Sequence, residues 1–189
     1  MYRLLIIVLI IALTVLYSFY QKRSIEQDLV TSETKVQSVL EKMPEAEFSD
    51  LNGGKVSLAQ IFPADLVVVH FWGTWCAPCE AELPELLTFI KRFEGKSNVK
   101  FVLVAVNDEI KKVQKYLKTL PIPAHSSITW LVDSEDVYRQ KFGTTRVPET
   151  YVFSSDMTTL RKYVGPQEWN KTMFFQSFDE FIQISTRKL

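Results

Sequence analysis

Residues 72–79 read WGTWCAPC, and Cys76 and Cys79 are the only cysteines in the 189-residue chain. A C-x-x-C at the start of a helix puts its first sulfur where unsatisfied backbone N–H groups and the helix dipole favour negative charge. Disulfide exchange proceeds through the thiolate, so this placement makes Cys76 the attacking group. Cys79, one turn on, is placed to resolve the mixed disulfide that forms. Pro78 has no N–H to lose and presets the first helical turn. The Ala77-Pro78 dipeptide between the sulfurs is one of several determinants of their potential. Trp75 reads as a flat apolar surface offered to a partner and Trp72 as core, with two core aromatics as the plainer alternative.

Other uses of the pair are weaker. A bridge between positions i and i+3 closes a very short loop and constrains the unfolded chain little. A zinc site needs about four ligands, and only His70 and His125 remain to complete it. His70 lies in an apolar run and His125 follows a proline-rich stretch, so the expectation is no metal and no cofactor beyond the Cys76–Cys79 disulfide.

Outward from the motif, Leu66–Phe71 is an unbroken apolar run, as in a central strand covered on both faces, and Lys100–Asn107 has the same character. Between them Leu83, Leu86, Leu87, Ile90 and Phe93 recur at helical spacing up to Gly95. Pro84 falls inside this helix and removes a hydrogen bond to the Glu80 carbonyl, which predicts a kink. A second helix is expected over Asp108–Leu120, stopped by Pro121 and Pro123. Then come a strand at Thr129–Val132, a helix at Ser134–Phe142 closed by Gly143, strands at Thr150–Phe153 and Arg161–Val164, and a helix over Glu168–Ile184. Upstream, Phe48–Leu51 and Lys55–Leu58 flank Asn52-Gly53-Gly54 as a hairpin. The pattern is α/β, with a mixed sheet flanked by helices.

The chain is 47% hydrophobic and 23% charged, enough to bury a core. Lys+Arg and Asp+Glu are both 22, so no basic field points to nucleic acid. Residues 4–20 are apolar but for Thr14 and Ser18, at the low end of the roughly 20 residues that cross a bilayer. No A-x-A-like pair follows, so an uncleaved anchor over residues 1–23 is expected, with a signal-peptide core as the alternative. Arg3 balances Lys22 and Arg23, so flanking charge leaves the orientation open. Residues 24–43 read as a helical or flexible spacer ended by Pro44, and 44–189 as the folded domain.

FWGTWCAPCEAELP (71–84), RVPETYVF (146–153) and GPQEW (165–169) together resemble the membrane-anchored, extracytoplasmic thioredoxin-like reductases of bacteria, the TlpA and ResA type and the relatives that serve cytochrome c maturation. The resemblance implies a thioredoxin fold with an N-terminal β-hairpin extension and a central helical insertion. It makes Cys76 and Cys79 the redox pair and Pro148 a cis-proline facing them, although X-Pro bonds are cis in only about 5–6% of folded cases. A cis bond there turns the Val147 backbone toward the sulfurs, where an extended substrate segment can pair with it.

Glu149 follows Pro148 as in the cytochrome-maturation relatives, where the ResA type usually has a different residue, and Glu82 matches a family acid. Both are candidates for proton relay or tuning of the site, with a solvated helix face as the alternative for Glu82. His70 is a departure, since thioredoxins proper have a buried acid there and these relatives often an asparagine. It is expected either to relay a proton to Cys79 or to be a satisfied core histidine.

By the same resemblance the chain is a thiol-disulfide oxidoreductase in a bacterial inner or plasma membrane, single-pass, its domain facing the periplasm or cell exterior. The implied electron donor is a membrane thiol-disulfide relay protein. The implied acceptors are disulfide-containing extracytoplasmic proteins, apocytochrome c among them. The chain has no C-x-x-C-H haem signal of its own. The alternative is a non-redox binding module or chaperone for extracytoplasmic apoproteins, with the disulfide incidental.

Overall fold

A strand buried along its whole length, β3 (Leu66–Trp72), sits inside the sheet with a strand paired on each side. The computed structural model describes residues 2, 14, 17, 40–95, 98–122 and 128–187. The expected anchor and spacer, apart from Tyr2, Thr14, Tyr17 and residues 40–43, therefore lie outside the described residues, as does His125. Among the described residues no helix is long and apolar enough to cross a membrane.

In chain order the elements are β1 (Glu47–Asp50), β2 (Lys55–Ser57), a 3-10 turn (Leu58–Ile61), β3, α1 (Ala77–Lys91), β4 (Val99–Val106), α2 (Ile110–Leu117), β5 (Ile128–Asp133), α3 (Val137–Lys141), β6 (Glu149–Ser154), β7 (Thr159–Val164) and α4 (Thr172–Thr186). The seven strands form one sheet in the order β2-β1-β5-β4-β3-β6-β7. β3, β4 and β5 run parallel, while β6 pairs antiparallel with both β3 and β7, and the β1–β2 hairpin pairs antiparallel with β5.

The period-2 alternation of β3 sorts two cores. Leu66, Val68 and Trp72 pack with Leu83, Leu86 and Phe89 of α1 and with Phe174 and Phe178 of α4. Val67, Val69 and Phe71 face the other way, with Phe142, Tyr151 and Phe153. This is the thioredoxin-like arrangement, a mixed sheet flanked by helices. The segment between β4 and α3 is more than a helix: α2 is followed by β5, and β5 carries the N-terminal hairpin on its outer side. Residues 41–43, read from sequence as the end of a spacer, are bonded to the 157–159 turn, with Met43 N–H donating to Met157 O and Thr159 N–H to Glu41 O.

Three helices begin later than their sequence signals suggest. α2 starts at Ile110, because the Asp108 carboxylate is engaged by the Thr74 and Glu109 N–H groups. α3 starts at Val137, its first three N–H groups donating to Asp133 at the end of β5 rather than to Ser134. α4 starts at Thr172, four residues after Glu168, since residues 165–171 form a separate strap over α1. α2 also ends at Leu117, short of Leu120, where Thr119 and Leu120 close the turn onto Tyr116 and Leu117 carbonyls. α1 runs continuously past Pro84, whose carbonyl accepts from the Thr88 hydroxyl.

Candidate active site

Because β3 and β4 are parallel, their C-terminal ends open on the same margin of the sheet, and ligand and redox chemistry in α/β sheets gathers there. β3 ends at Trp72. A turn follows, closed by Cys76 N–H donating to Gly73 O at 3.1 Å, and α1 begins with Cys76 as its N-cap.

Cys76 and Cys79 form a disulfide. Cys76 is 6% exposed and Cys79 is fully buried, so a partner can reach only the first sulfur. Cys79 N–H donates to Cys76 Sγ at 3.2 Å. After reduction the same N–H faces a thiolate, where a charge-assisted bond is stronger than the present one to neutral sulfur. Ala77 and Pro78 are exposed beside the pair. Trp75 is 56% exposed, whereas Trp72 is buried against Tyr116 and Trp130. The Val147–Pro148 peptide is cis, and Val147 O lies 3.8 Å from Cys76 Sγ.

Beneath Cys79 lies a buried acid and base. His70 Nε2 is 3.4 Å from Glu82 Oε1, and both side chains are almost wholly enclosed. His70 Nδ1 is 2.9 Å from Thr150 Oγ1, and Glu82 Oε2 accepts from Gln167 N–H at 2.7 Å. The solvated-face reading of Glu82 is therefore wrong: the strap at Gln167–Trp169 covers that face of α1. Burial pushes Glu82 up to about 7, with Glu85 adding to the rise and the Gln167 N–H and Trp169 indole pulling partly back. Burial also pushes His70 down to about 3.

With Glu82 protonated, as its raised pKa favours near and below neutral pH, these contacts favour one arrangement of the proton. Oε2 of Glu82 already accepts from Gln167, so the acid proton belongs on Oε1, facing His70 Nε2. The histidine then keeps its hydrogen on Nδ1 and donates to Thr150. Glu82 is one helical turn beyond Cys79 on the same buried face of α1, a spacing that puts Cβ atoms roughly 5–6 Å apart.

Glu149, expected with the tuning acids, turns to the opposite face of β6 from Thr150, His70 and the sulfurs. It pairs there with Lys162 Nζ at 3.1 Å and accepts from the Tyr151 hydroxyl at 3.3 Å, tying β6 to β7. Thr150 is not marked by the sequence, and Gln167 and Trp169, although within the GPQEW stretch, carry no sequence signal that places them at the site. Only the register His70↔Thr150 and the strap bring them in. Among the described residues no group of three or more His, Cys, Asp and Glu could hold a metal ion.

The chain is 25% identical over 162 residues to thiol-disulfide oxidoreductase ResA of Bacillus thuringiensis, covering 86% of each chain. It is 27% identical over 146 residues to thiol:disulfide interchange protein DsbE of Vibrio cholerae, covering 74% of this chain and 75% of that one. Among solved structures, a thiol:disulfide interchange protein of the thioredoxin family from Chlorobium tepidum superposes with a TM-score of 0.58 at 23% identity, over 77% of this chain and 95% of that one. StoA from Bacillus subtilis superposes with a TM-score of 0.56 at 18% identity, over 73% and 96%. These two likenesses carry the fold, and the sequence relatives carry the chemistry of the pair. The AhpC/TSA family model matches residues 39–161, and the chain belongs to that family as a thioredoxin-like thiol-disulfide oxidoreductase.

Proposed function

We propose that the protein works as a reductant of disulfides in extracytoplasmic proteins, apocytochrome c among them, and is re-reduced by a membrane thiol-disulfide relay protein. The observation that carries this reading is the division of labour between the sulfurs: Cys76 keeps a small exposed area, and Cys79 is fully buried one helical turn from the buried Glu82. In the forward direction Cys76 thiolate attacks a partner sulfur, forming a mixed disulfide and releasing the partner's other sulfur as thiolate. Cys79 then loses its proton and attacks Cys76 Sγ, closing the intramolecular disulfide, and the partner's second sulfur leaves as thiolate and takes up a proton. A carboxylate with a pKa of about 7 one turn away is matched to the proton that Cys79 gives up.

Titration against glutathione tests the direction. A potential near that of thioredoxin, about −270 mV, is expected, and one at the oxidising end, about −120 mV, would overturn the reductant reading. The proposed site of action is the outer face of a bacterial membrane, held by residues 1–23. Alkaline phosphatase fused after Leu189 should then be active, and an inactive fusion alongside an active cytoplasmic reporter would reverse the orientation. The binding-module reading draws on the exposed Trp75. Function retained in a Cys76→Ser/Cys79→Ser protein would favour it.

A further inference from the structure

The loop after β4 reaches back under the redox turn. Asp108, 6% exposed, stands next to the start of α2 yet does not cap that helix, which has no side-chain cap at Glu109. Its carboxylate instead accepts from Thr74 N–H at 2.8 Å through Oδ2 and from Glu109 N–H at 3.0 Å through Oδ1. Two residues earlier, Val106 O accepts the Trp75 indole N–H at 3.0 Å. Gly73 completes the arrangement, because a Cβ there would lie 2.7 Å from Trp75 Nε1 and 2.8 Å from its Cε2. The indole is thus folded back onto its own turn and held at its polar edge, with 56% of the residue left exposed.

We propose that Asp108 is a positioning residue for disulfide exchange with protein partners, fixing the Gly73–Cys76 turn so that Trp75 is presented as a rigid contact beside the reactive sulfur. The proposal rests on the reading of the pair as a reductant of protein disulfides. An indole free to rotate loses that freedom when a partner docks, whereas one already tied to Val106 has none to lose. Asp108 makes its hydrogen bonds to backbone N–H groups of Thr74 and Glu109, not to either sulfur. Its contribution therefore falls on recognition of a polypeptide around the disulfide, not on sulfur exchange itself.

The test uses the full chain in five forms: wild type, Asp108→Ala, Asp108→Asn, Trp75→Phe, which keeps a ring but removes the donor to Val106, and the Asp108→Ala/Trp75→Phe double variant. Each is assayed with insulin as a protein disulfide and with bis(2-hydroxyethyl) disulfide as a small one. Asp108→Ala should raise KM for insulin about three- to tenfold, the range expected for ordering one side chain on binding, with the loss in KM and not in kcat. The preference for insulin over the small disulfide should fall by a similar factor. Trp75→Phe should do the same, and the double variant should be no worse than either single. Asp108→Asn, with one amide oxygen for two N–H donors, should fall between wild type and Ala, which also covers an Ala variant that folds poorly. Acrylamide quenching of the Trp75 emission, taken as the difference from each Trp75→Phe counterpart, should rise in Asp108→Ala. Equal losses on both substrates, additive singles or unchanged quenching would overturn the proposal. A wild type that cannot reduce insulin would instead sink the reductant reading, and the quenching series would still decide whether Asp108 holds the indole.

Discussion

Cys79→Ser should keep the first half of the exchange and lose the second, so that partner proteins accumulate as mixed disulfides on Cys76. Resolution in the native protein is intramolecular, and well-oriented intramolecular attack carries effective molarities of about 10⁵ M or more, which millimolar external thiol cannot replace. Turnover on a protein disulfide should therefore drop by at least about a thousandfold. Cys76→Ser should trap far less, because Cys79 is fully buried and a partner sulfur cannot reach it. Acid-quenched samples on non-reducing gels, followed by mass spectrometry of what reductant releases, measure both. Extracytoplasmic proteins with paired cysteines should head the trapped set, c-type apocytochromes among them. If Cys79→Ser traps nothing that reductant releases, or no more than Cys76→Ser, the assigned roles are wrong.

His70→Asn and Glu82→Gln should tilt the stability of the protein in opposite directions with pH. An acid raised from 4.5 to about 7 holds a proton in the folded state that the unfolded chain has lost, so its contribution is present below 4.5 and is lost as pH rises to about 7. A histidine lowered from 6.5 to about 3 does the reverse: its contribution is present above 6.5 and is lost as pH falls to about 3. Between 4.5 and 6.5 the folded pair holds one proton, on Glu82, and the unfolded chain holds one, on the histidine. The two slopes cancel in the wild type.

Removing either partner exposes the other. His70→Asn should lose on the order of 3 kcal/mol between pH 4.5 and 7, and Glu82→Gln should gain on the order of 5 kcal/mol as pH rises from about 3 to 6.5. Urea unfolding at several pH values measures this. A sloping wild type, or two flat variants, would show that the pair does not exchange its proton as the geometry indicates. If the histidine also relays a proton from Cys79, His70→Asn should slow resolution near neutral pH.

Much of this architecture was legible from residue order alone. Leu66–Phe71 and Lys100–Asn107 announce buried strands because no polar residue but His70 interrupts the first, and the WGTWCAPC turn marks where the helix must begin. What stayed hidden depends on contacts distant in sequence. Glu82 looks like a surface acid until Gln167 closes over it from the other end of the domain. Glu149 follows Pro148 in the chain, yet the period-2 pleat sends it to the opposite face, toward Lys162. Asp108 and Asp133 both stand just ahead of a helix, and local sequence does not say that one serves a redox turn while the other caps a helix from the end of a strand.

The outer margins of the sheet bear on how the protein keeps to itself. One margin is β2, only three residues long, and the other is β7, which carries Arg161 and Lys162 and is bulged against β6 at Val152/Phe153. Short, charged and irregular borders are poor templates for another copy's backbone, which is how β-proteins avoid polymerising edge to edge. Among the described residues, then, the sheet's borders offer a neighbouring copy's backbone little to pair with, even at high local concentration.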